Sequence, residues 1–288
     1  MKKALTYLNC LQWLKNLLLF VPAFFAGLQW KPQLVLDLLI TALAFSLLAS
    51  AVYLINDLRD LQWDKLHPKK RHRLVASGAF SKQFTIVTIA VLLTVSFSTL
   101  ALMHYKAAIL GAIYLSLNIL YSMYLKRVAL LDIMILIMGY YIRLLIGGQV
   151  ANVVLSMWLL SLVTLIAIYL LLLKRRSDVL YFQEEGLVVR PTVHVYAQFP
   201  IRLINQLILL LIGSGYAAYL LHLIRDQLQD DYRILLTLPL VVFALVRFDR
   251  KTVAFPHKEA FRLLLCDRWL VLTCVSWIVI FAWVLYGK

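Results

Sequence analysis

The sequence predicts an all-α integral membrane protein, and three observations lead there. Of 288 residues, 63% are hydrophobic and only 15% charged, whereas an ordinary soluble domain carries about 25% charged residues. Apolar runs recur along the whole chain, each near the roughly 20 residues a helix needs to cross a bilayer. Between them lies no polar stretch long enough to fold by itself, so residues 1–288 read as one transmembrane domain.

Nine stretches qualify as spans: Leu11 to Leu28, Gln33 to Ile55, Phe84 to Met103, Ala107 to Leu125, Ala129 to Gly148, Val154 to Leu173, Leu203 to Leu223, Ile234 to Val246 and Trp269 to Tyr286. Pro22 is expected to kink the first, and Gly147-Gly148 to end the fifth. The eighth is short. The run after Lys3 is interrupted by Asn9, Gln12, Lys15 and Asn16 and lacks a small-residue cleavage site, so the first segment is expected to stay in the protein. The sequence shows no internal repeat.

A net charge of +15 leaves three partner classes open: nucleic acid, anionic lipid and a phosphorylated substrate. Position decides between them. With nine spans, the N-terminus shares a side with the connections after the second, fourth, sixth and eighth. Most of the 29 Lys and Arg fall on that side, and only Lys31, Lys106, Arg225, Arg233 and Lys288 on the other. By the positive-inside rule the basic side, with the N-terminus, faces the cytoplasm from a cell's inner (plasma) membrane. Topology accounts for most of these cations, and none calls for nucleic acid. Lys15 and Arg143 differ because they fall within predicted spans. A cation there is costly unless it is paired or lines a wet cavity, the alternative being a long side chain that snorkels to the interface. Cys10, Cys266 and Cys274 are too far apart for a zinc or redox pair, and the 6 histidines show no ligand spacing.

The second span ends in Asn56-Asp57-Leu58-Arg59-Asp60-Leu61-Gln62-Trp63-Asp64. Helical continuation puts Asn56, Asp60 and Asp64 on one stripe, with Asp57 beside them. Carboxylates gathered on one face repel each other, and a surface built for stability would interleave basic partners four residues away. A hard divalent cation removes that conflict. Magnesium accepts a few carboxylate oxygens together with phosphate oxygens and water, and with no His or Cys inside the stretch Asn56 to Asp64 the spacing does not suit zinc. His67-Pro68-Lys69-Lys70-Arg71-His72-Arg73-Leu74-Val75-Ala76-Ser77-Gly78 follows at once. Metal on one flank of a diphosphate and cations on the other would neutralise charge as a leaving group departs. Contact with anionic lipid is the competing account of the basic run.

The order N-D-x-x-D-x-x-x-D, then H-P-x-K-R-x-R and A-S-G, resembles the first signature of the UbiA superfamily of intramembrane prenyltransferases. The resemblance implies a nine-helix UbiA-like bundle holding a magnesium diphosphate against this motif. Aromatic prenyltransferases of that superfamily carry a second aspartate-rich motif after helix six. Here that place holds Lys174-Arg175-Arg176-Ser177-Asp178, and the excess of cations points to a second substrate that is itself anionic. The polyprenyl-phosphate (decaprenyl-phosphate) phosphoribosyltransferase branch resembles the chain at Gln12-Trp13-Leu14-Lys15-Asn16, at Tyr121-Ser122-x-x-Leu125-Lys126, at Gly139-x-x-x-Arg143-x-x-x-Gly147, and at the Lys174-Arg175 and Asp267-Arg268 pairs. Leu74 departs from the proline usual in the family at that position.

That branch implies an Mg2+-dependent transfer of 5-phosphoribose from phosphoribosyl diphosphate to a polyprenyl phosphate. Asn56, Asp60 and Asp64 are then the expected metal and diphosphate ligands, with Asp57 as support or a further ligand. Lys15, Lys70, Arg71 and Arg73 would hold diphosphate or 5-phosphate oxygens, and Lys126, Arg143, Lys174 and Arg175 the lipid phosphate. Tyr53, one turn from Asp57, would reach the ribose or serve as an interfacial aromatic. Asp132 could pair with Arg143 or Lys126. One rival is a prenyltransferase with a neutral or aromatic acceptor, which predicts acids after helix six; another is an organic-phosphate transporter, which predicts matching broken helices in two halves. Lipid length, oligomeric state and the pathway served are not encoded in these motifs.

Overall fold

The computed structural model describes residues 7–8, 10–66, 71, 73–186, 191–226, 228, 231–258 and 260–287. Every regular element among them is helical. Eight long helices are labelled α1 (Pro32–Arg59), α2 (Lys82–Met103), α3 (Tyr105–Met123), α4 (Leu131–Ala151), α5 (Met157–Glu185), α6 (Ile201–Asp226), α7 (Thr237–Ala254) and α8 (Arg268–Tyr286). Seven of them, all but α7, are long and apolar enough to cross a bilayer. On α2 the side chains of Phe84, Ile86, Val87, Val91 and Val95 point outward, and a helix with so apolar an outer face needs lipid as its solvent.

Two of the nine expected spans differ for local reasons. The first is broken: Cys10–Leu19 is a 3-10 helix and Val21–Phe25 a short α-helix. Pro22 does not kink a continuing helix but stands in the first turn of a new one, where its missing N–H costs nothing. The eighth begins as the 3-10 helix Tyr232–Leu236 and continues as α7. The second half of α7 carries Arg247, Asp249, Arg250 and Lys251, too many charges for a lipid-facing span. Gly147-Gly148 also does not end its helix, since α4 runs on to Ala151.

The chain divides into two compact units, one comprising Met1–Lys126 and Met134–Leu155, the other Arg127–Ile133 and Ser156–Lys288. In the first, α1 packs most extensively on α2, and its core is built from Leu38, Phe45, Leu48, Leu100, Tyr114, Ile142 and Ile146. Small residues on α1, among them Ala44, Ala49, Ser50 and Ala51, let neighbouring backbones approach. Across that interface the Ser96 hydroxyl donates to the Ala44 carbonyl at 2.8 Å. In the second unit α5 packs on α6 and α7 on α8. Trp277 donates to the Tyr216 hydroxyl at 2.7 Å, and that oxygen lies 2.7 Å from the Thr237 hydroxyl, so these three polar groups satisfy each other.

Candidate active site

In the first unit the acidic motif closes α1. Helical bonding passes from Asn56 to the amide of Asp60 and from Asp60 to the amide of Asp64, at 2.9 and 2.8 Å. The backbone nevertheless bends at Asp60 (φ −84°, ψ 7°) before the short helix Leu61–Leu66. That bend redistributes the stripe expected from ideal periodicity. Asp57 and Asp64, rather than Asp60 and Asp64, converge on one point. A single guanidinium nitrogen of Arg73 lies 2.9 Å from an oxygen of each. Asp60 turns to Lys126, whose ammonium donates to both carboxylate oxygens at 2.8 and 3.1 Å. The Asn56 side-chain oxygen accepts from the Ser122 hydroxyl at 2.7 Å. Ser122 at the end of α3 and Lys126 in the 3-10 turn Leu125–Arg127 that follows therefore meet the two polar residues that lie four apart at the end of α1. Arg59 ties the same helix ends together by donating to the Met123 carbonyl at 3.2 Å.

Asp64 is buried, Asp57 and Asp60 partly so, and Arg73 keeps a side-chain exposure of 40%. Among the described residues no group of three or more His, Cys, Asp or Glu converges as a preformed metal centre. The donor chemistry still fits a hard divalent cation. Two carboxylates already focus on one positively charged atom, a third carboxylate and an amide oxygen stand within the next turn, and all are oxygen ligands of the kind magnesium accepts beside water and phosphate.

Deeper in the same unit, the 3-10 segment Cys10–Leu19 lies along α1. Trp13 donates to the Ser50 hydroxyl at 2.9 Å and Asn16 to the Ser46 hydroxyl at 2.7 Å. Asn16 also accepts from the Arg143 Nε at 2.8 Å. Arg143 is buried on α4, donates to the Gly139 carbonyl at 2.6 Å and the Tyr114 hydroxyl at 3.3 Å, and lies over the rings of Phe45 and Tyr114. All these partners are neutral, and among the described residues no carboxylate pairs with it. The two glycines of its motif serve that arrangement. Gly139 lies under the guanidinium, and Gly147 lets the Leu19 backbone press against α4. Lys15, between the anchors Trp13 and Asn16, is exposed and makes no ion pair among the described residues. Tyr53 is half-buried on the α1 face that also carries Ser46, Ser50 and Asp57.

The second unit holds a different kind of arginine. Arg175 on α5 is fully buried, 2.9 Å from an Asp132 oxygen and 3.4 Å from Asp178. The Asp132 contact is a close ion pair whose angle falls short of a hydrogen bond. Tyr196 donates to the other Asp132 oxygen at 2.5 Å and accepts from the Leu130 amide at 3.1 Å. Asp132 thus pairs with Arg175, not with Arg143 or Lys126 as the sequence allowed, because the start of α4 belongs with the second unit. Lys174 and Arg71 are exposed, and Lys70 lies outside the described residues. Further along, Asp267 caps α8 by accepting from the amides of Trp269 and Leu270. It also binds Arg247 at 2.8 and 2.9 Å and Lys251 at 3.1 Å. The Arg247 guanidinium is the main cause holding its carboxyl far below the usual carboxylate range. Asn16, Ser122, Asp132 and Tyr196 are the residues to which sequence reasoning gave no settled role. The first two stood inside quoted motifs, while the buried pairing of the others left no local signal.

Known proteins resemble this chain in sequence and in fold. A Sinorhizobium fredii protein described only as uncharacterized protein y4nM is 36% identical over 177 residues, 62% of this chain but 34% of that protein's length. A Mycobacterium tuberculosis decaprenyl-phosphate phosphoribosyltransferase is 27% identical over 275 residues, 93% of this chain and 89% of the relative. The solved structure of a UbiA homolog from Archaeoglobus fulgidus bound to GPP and Mg2+ matches with a TM-score of 0.71 at 15% identity, over 99% of this chain and 100% of that one. The profile of the UbiA prenyltransferase family matches residues 17–262. With seven candidate spans, that fold and that match, the protein is a multi-pass membrane protein, and the chain belongs to the UbiA prenyltransferase family.

Proposed function

We propose that the chain is a membrane phosphoribosyltransferase that moves 5-phosphoribose from phosphoribosyl diphosphate to a polyprenyl phosphate and releases diphosphate. The observation that carries this reading is Arg143: a buried guanidinium whose partners among the described residues are all neutral, in the same unit as a carboxylate cluster suited to a metal diphosphate. An unbalanced buried cation is costly, and an anionic second substrate supplies the missing charge. A neutral acceptor would not. The similarity to decaprenyl-phosphate phosphoribosyltransferases over most of both chains supports the same choice.

Asn56, Asp60 and Asp64, with Asp57, would hold magnesium and the donor diphosphate. Magnesium held there would supply positive charge against the departing diphosphate. Lys15, Lys70, Arg71 and Arg73 take oxygens of the diphosphate or the 5-phosphate, and Tyr53 faces the ribose. Lys126 and Arg143 take the lipid phosphate. Lys126 already touches Asp60, beside the donor's ligands, where a nucleophile must come within about 3–3.5 Å of the carbon it attacks. Arg175 is left out of this set because two carboxylates already balance it. The lipid phosphate oxygen attacks the anomeric carbon as the bond to diphosphate breaks. A phosphate monoester is largely ionised near neutral pH, so no strong general base is needed, and positioning with charge stabilisation accounts for catalysis. The excess of cations on the motif's side supports a cytoplasmic active site in the inner (plasma) membrane.

The test is direct. Purified protein in detergent receives magnesium, phosphoribosyl diphosphate labelled in the ribose and a polyprenyl phosphate, and label is expected in the organic phase. Transfer only from a prenyl diphosphate to a neutral acceptor would overturn the reading.

A further inference from the structure

The carboxylates at the end of α1 are not waiting empty-handed. The guanidinium nitrogen of Arg73 occupies the point on which Asp57 and Asp64 converge, 2.9 Å from each, and Lys126 spans both oxygens of Asp60. Given the donor site proposed above, we infer that Arg73 is the specificity-determining residue of the metal site: it excludes the bare ion and admits the metal only as its diphosphate complex.

Magnesium binds oxygen at about 2.0–2.1 Å, so an ion shared by Asp57 and Asp64 and this guanidinium nitrogen cannot occupy the same point. A bare ion must therefore expel Arg73. The displaced guanidinium stays beside a new double positive charge and gains no partner in return. The balance of the cluster sharpens the conflict, because among the described residues three carboxylates face two cations and a bare divalent ion tips that set to net positive. A diphosphate removes both objections. It brings its own negative charge, and its oxygens offer the planar fork of Arg73 a second, bidentate partner. With its side chain 40% exposed, Arg73 has solvent on one side, the direction from which such a ligand arrives. Arg73 thus exchanges carboxylates for phosphate oxygens, and metal and diphosphate enter as one unit.

The test uses Mn2+ as the probe, with protein-bound ion counted after rapid gel filtration against a protein-free control at each diphosphate concentration, since diphosphate itself binds Mn2+, on the full-length protein in detergent, without acceptor and without turnover. Wild type is expected to take up little Mn2+ alone and to bind it when inorganic diphosphate is added. Arg73→Gln is expected to raise affinity for Mn2+ alone by about tenfold or more, the change a 1.4 kcal/mol difference produces, and to lose much of the dependence on diphosphate. Arg73→Lys keeps the charge but not the fork and should fall between the two, which gives a second variant should the glutamine form not elute as a single species. Wild type binding Mn2+ alone as tightly as with diphosphate, or Mn2+-alone affinity unchanged in both variants, overturns the inference while leaving the donor site intact. Wild type that binds no Mn2+ even with diphosphate overturns the donor site as well.

Discussion

Replacing Gly147 by alanine tests how the first unit is assembled, because the added atom has nowhere to go. A Cβ at this position would lie 2.0 Å from the Leu19 carbonyl oxygen, 2.8 Å from its carbon and 2.9 Å from its Cα. All three are backbone atoms, so no side chain can rotate out of the way. A comfortable C···O approach is roughly 3.3 Å, and the segment would have to retreat by about 1.3 Å. Asn16, three residues away, bonds Arg143 at 2.8 Å and Ser46 at 2.7 Å, and a shift of that size takes both past useful length. Overpacking costs about 1–3 kcal/mol and losing the charge-assisted bond about 1.5–3 more. The better helix propensity of alanine returns about 1 kcal/mol, so the net loss is about 1.5–5 kcal/mol. For a protein of this size that is a fall in melting temperature of several degrees, readable by thermal unfolding in detergent. Gly139→Ala is the control. Its Cβ would meet only Arg143 and Tyr114 side-chain atoms at 3.5 and 3.6 Å, ordinary contacts, and it should melt at or above the wild-type temperature. Equal behaviour of the two variants would refute the close-approach argument.

Asp60→Asn and Asp64→Asn are each expected to abolish transfer in the labelled-donor assay, and wild-type turnover in either would remove that residue from the site. Arg175→Ala leaves Asp132 and Asp178 without their buried counter-charge, a loss of about 3–5 kcal/mol, and should show as lowered melting temperature with donor binding by the intact fraction unchanged. Asp267 has a folded pKa depressed mainly by Arg247. Its stabilisation is therefore fully present above the unfolded carboxylate value of about 3.9 and fades as pH falls below it. The melting-temperature gap between wild type and Asp267→Asn should accordingly be constant near neutrality and close on acidification, and a gap that widens instead would show the sign to be wrong.

The residues at the end of α1 were legible as a group because helical periodicity is local, and four carboxylate or amide groups within nine positions admit few bland explanations. Their sorting was not legible. It depends on a bend at Asp60 that brings Asp57 and Asp64 together, and on which cations return from the segment bearing Arg73 and from the turn that follows α3. The pattern of apolar residues located the seven long spans but not the break at the start of the chain, where Asn16, Trp13 and the close approach at Gly147 hold a tighter helix than periodicity alone implies. Gly147-Gly148 read as a terminator because glycine ends many helices. Its use here, admitting another backbone, is visible only when that backbone is in place. Asp132 failed in the same way: its partner lies 43 positions away in the sequence on α5.

Two buried arginines show how the chain's many positive charges are to be told apart. Arg175 and Arg143 both sit among apolar residues with almost no exposure, and sequence reasoning gave both to the lipid phosphate. Counter-charge separates them. Arg175 meets two carboxylates and a tyrosine ring, so a phosphate would have to compete with partners already bought by burial. Arg143 meets an amide, a carbonyl, a hydroxyl and two rings, groups that orient a guanidinium without neutralising it. A phosphate gains the most where orientation is already fixed and charge is still owed. Arg73 and Lys126 form a third case, neutralised now by the carboxylates that a metal diphosphate would claim. Cations that must change partner when a ligand arrives are the ones through which binding of one substrate can be felt by the other.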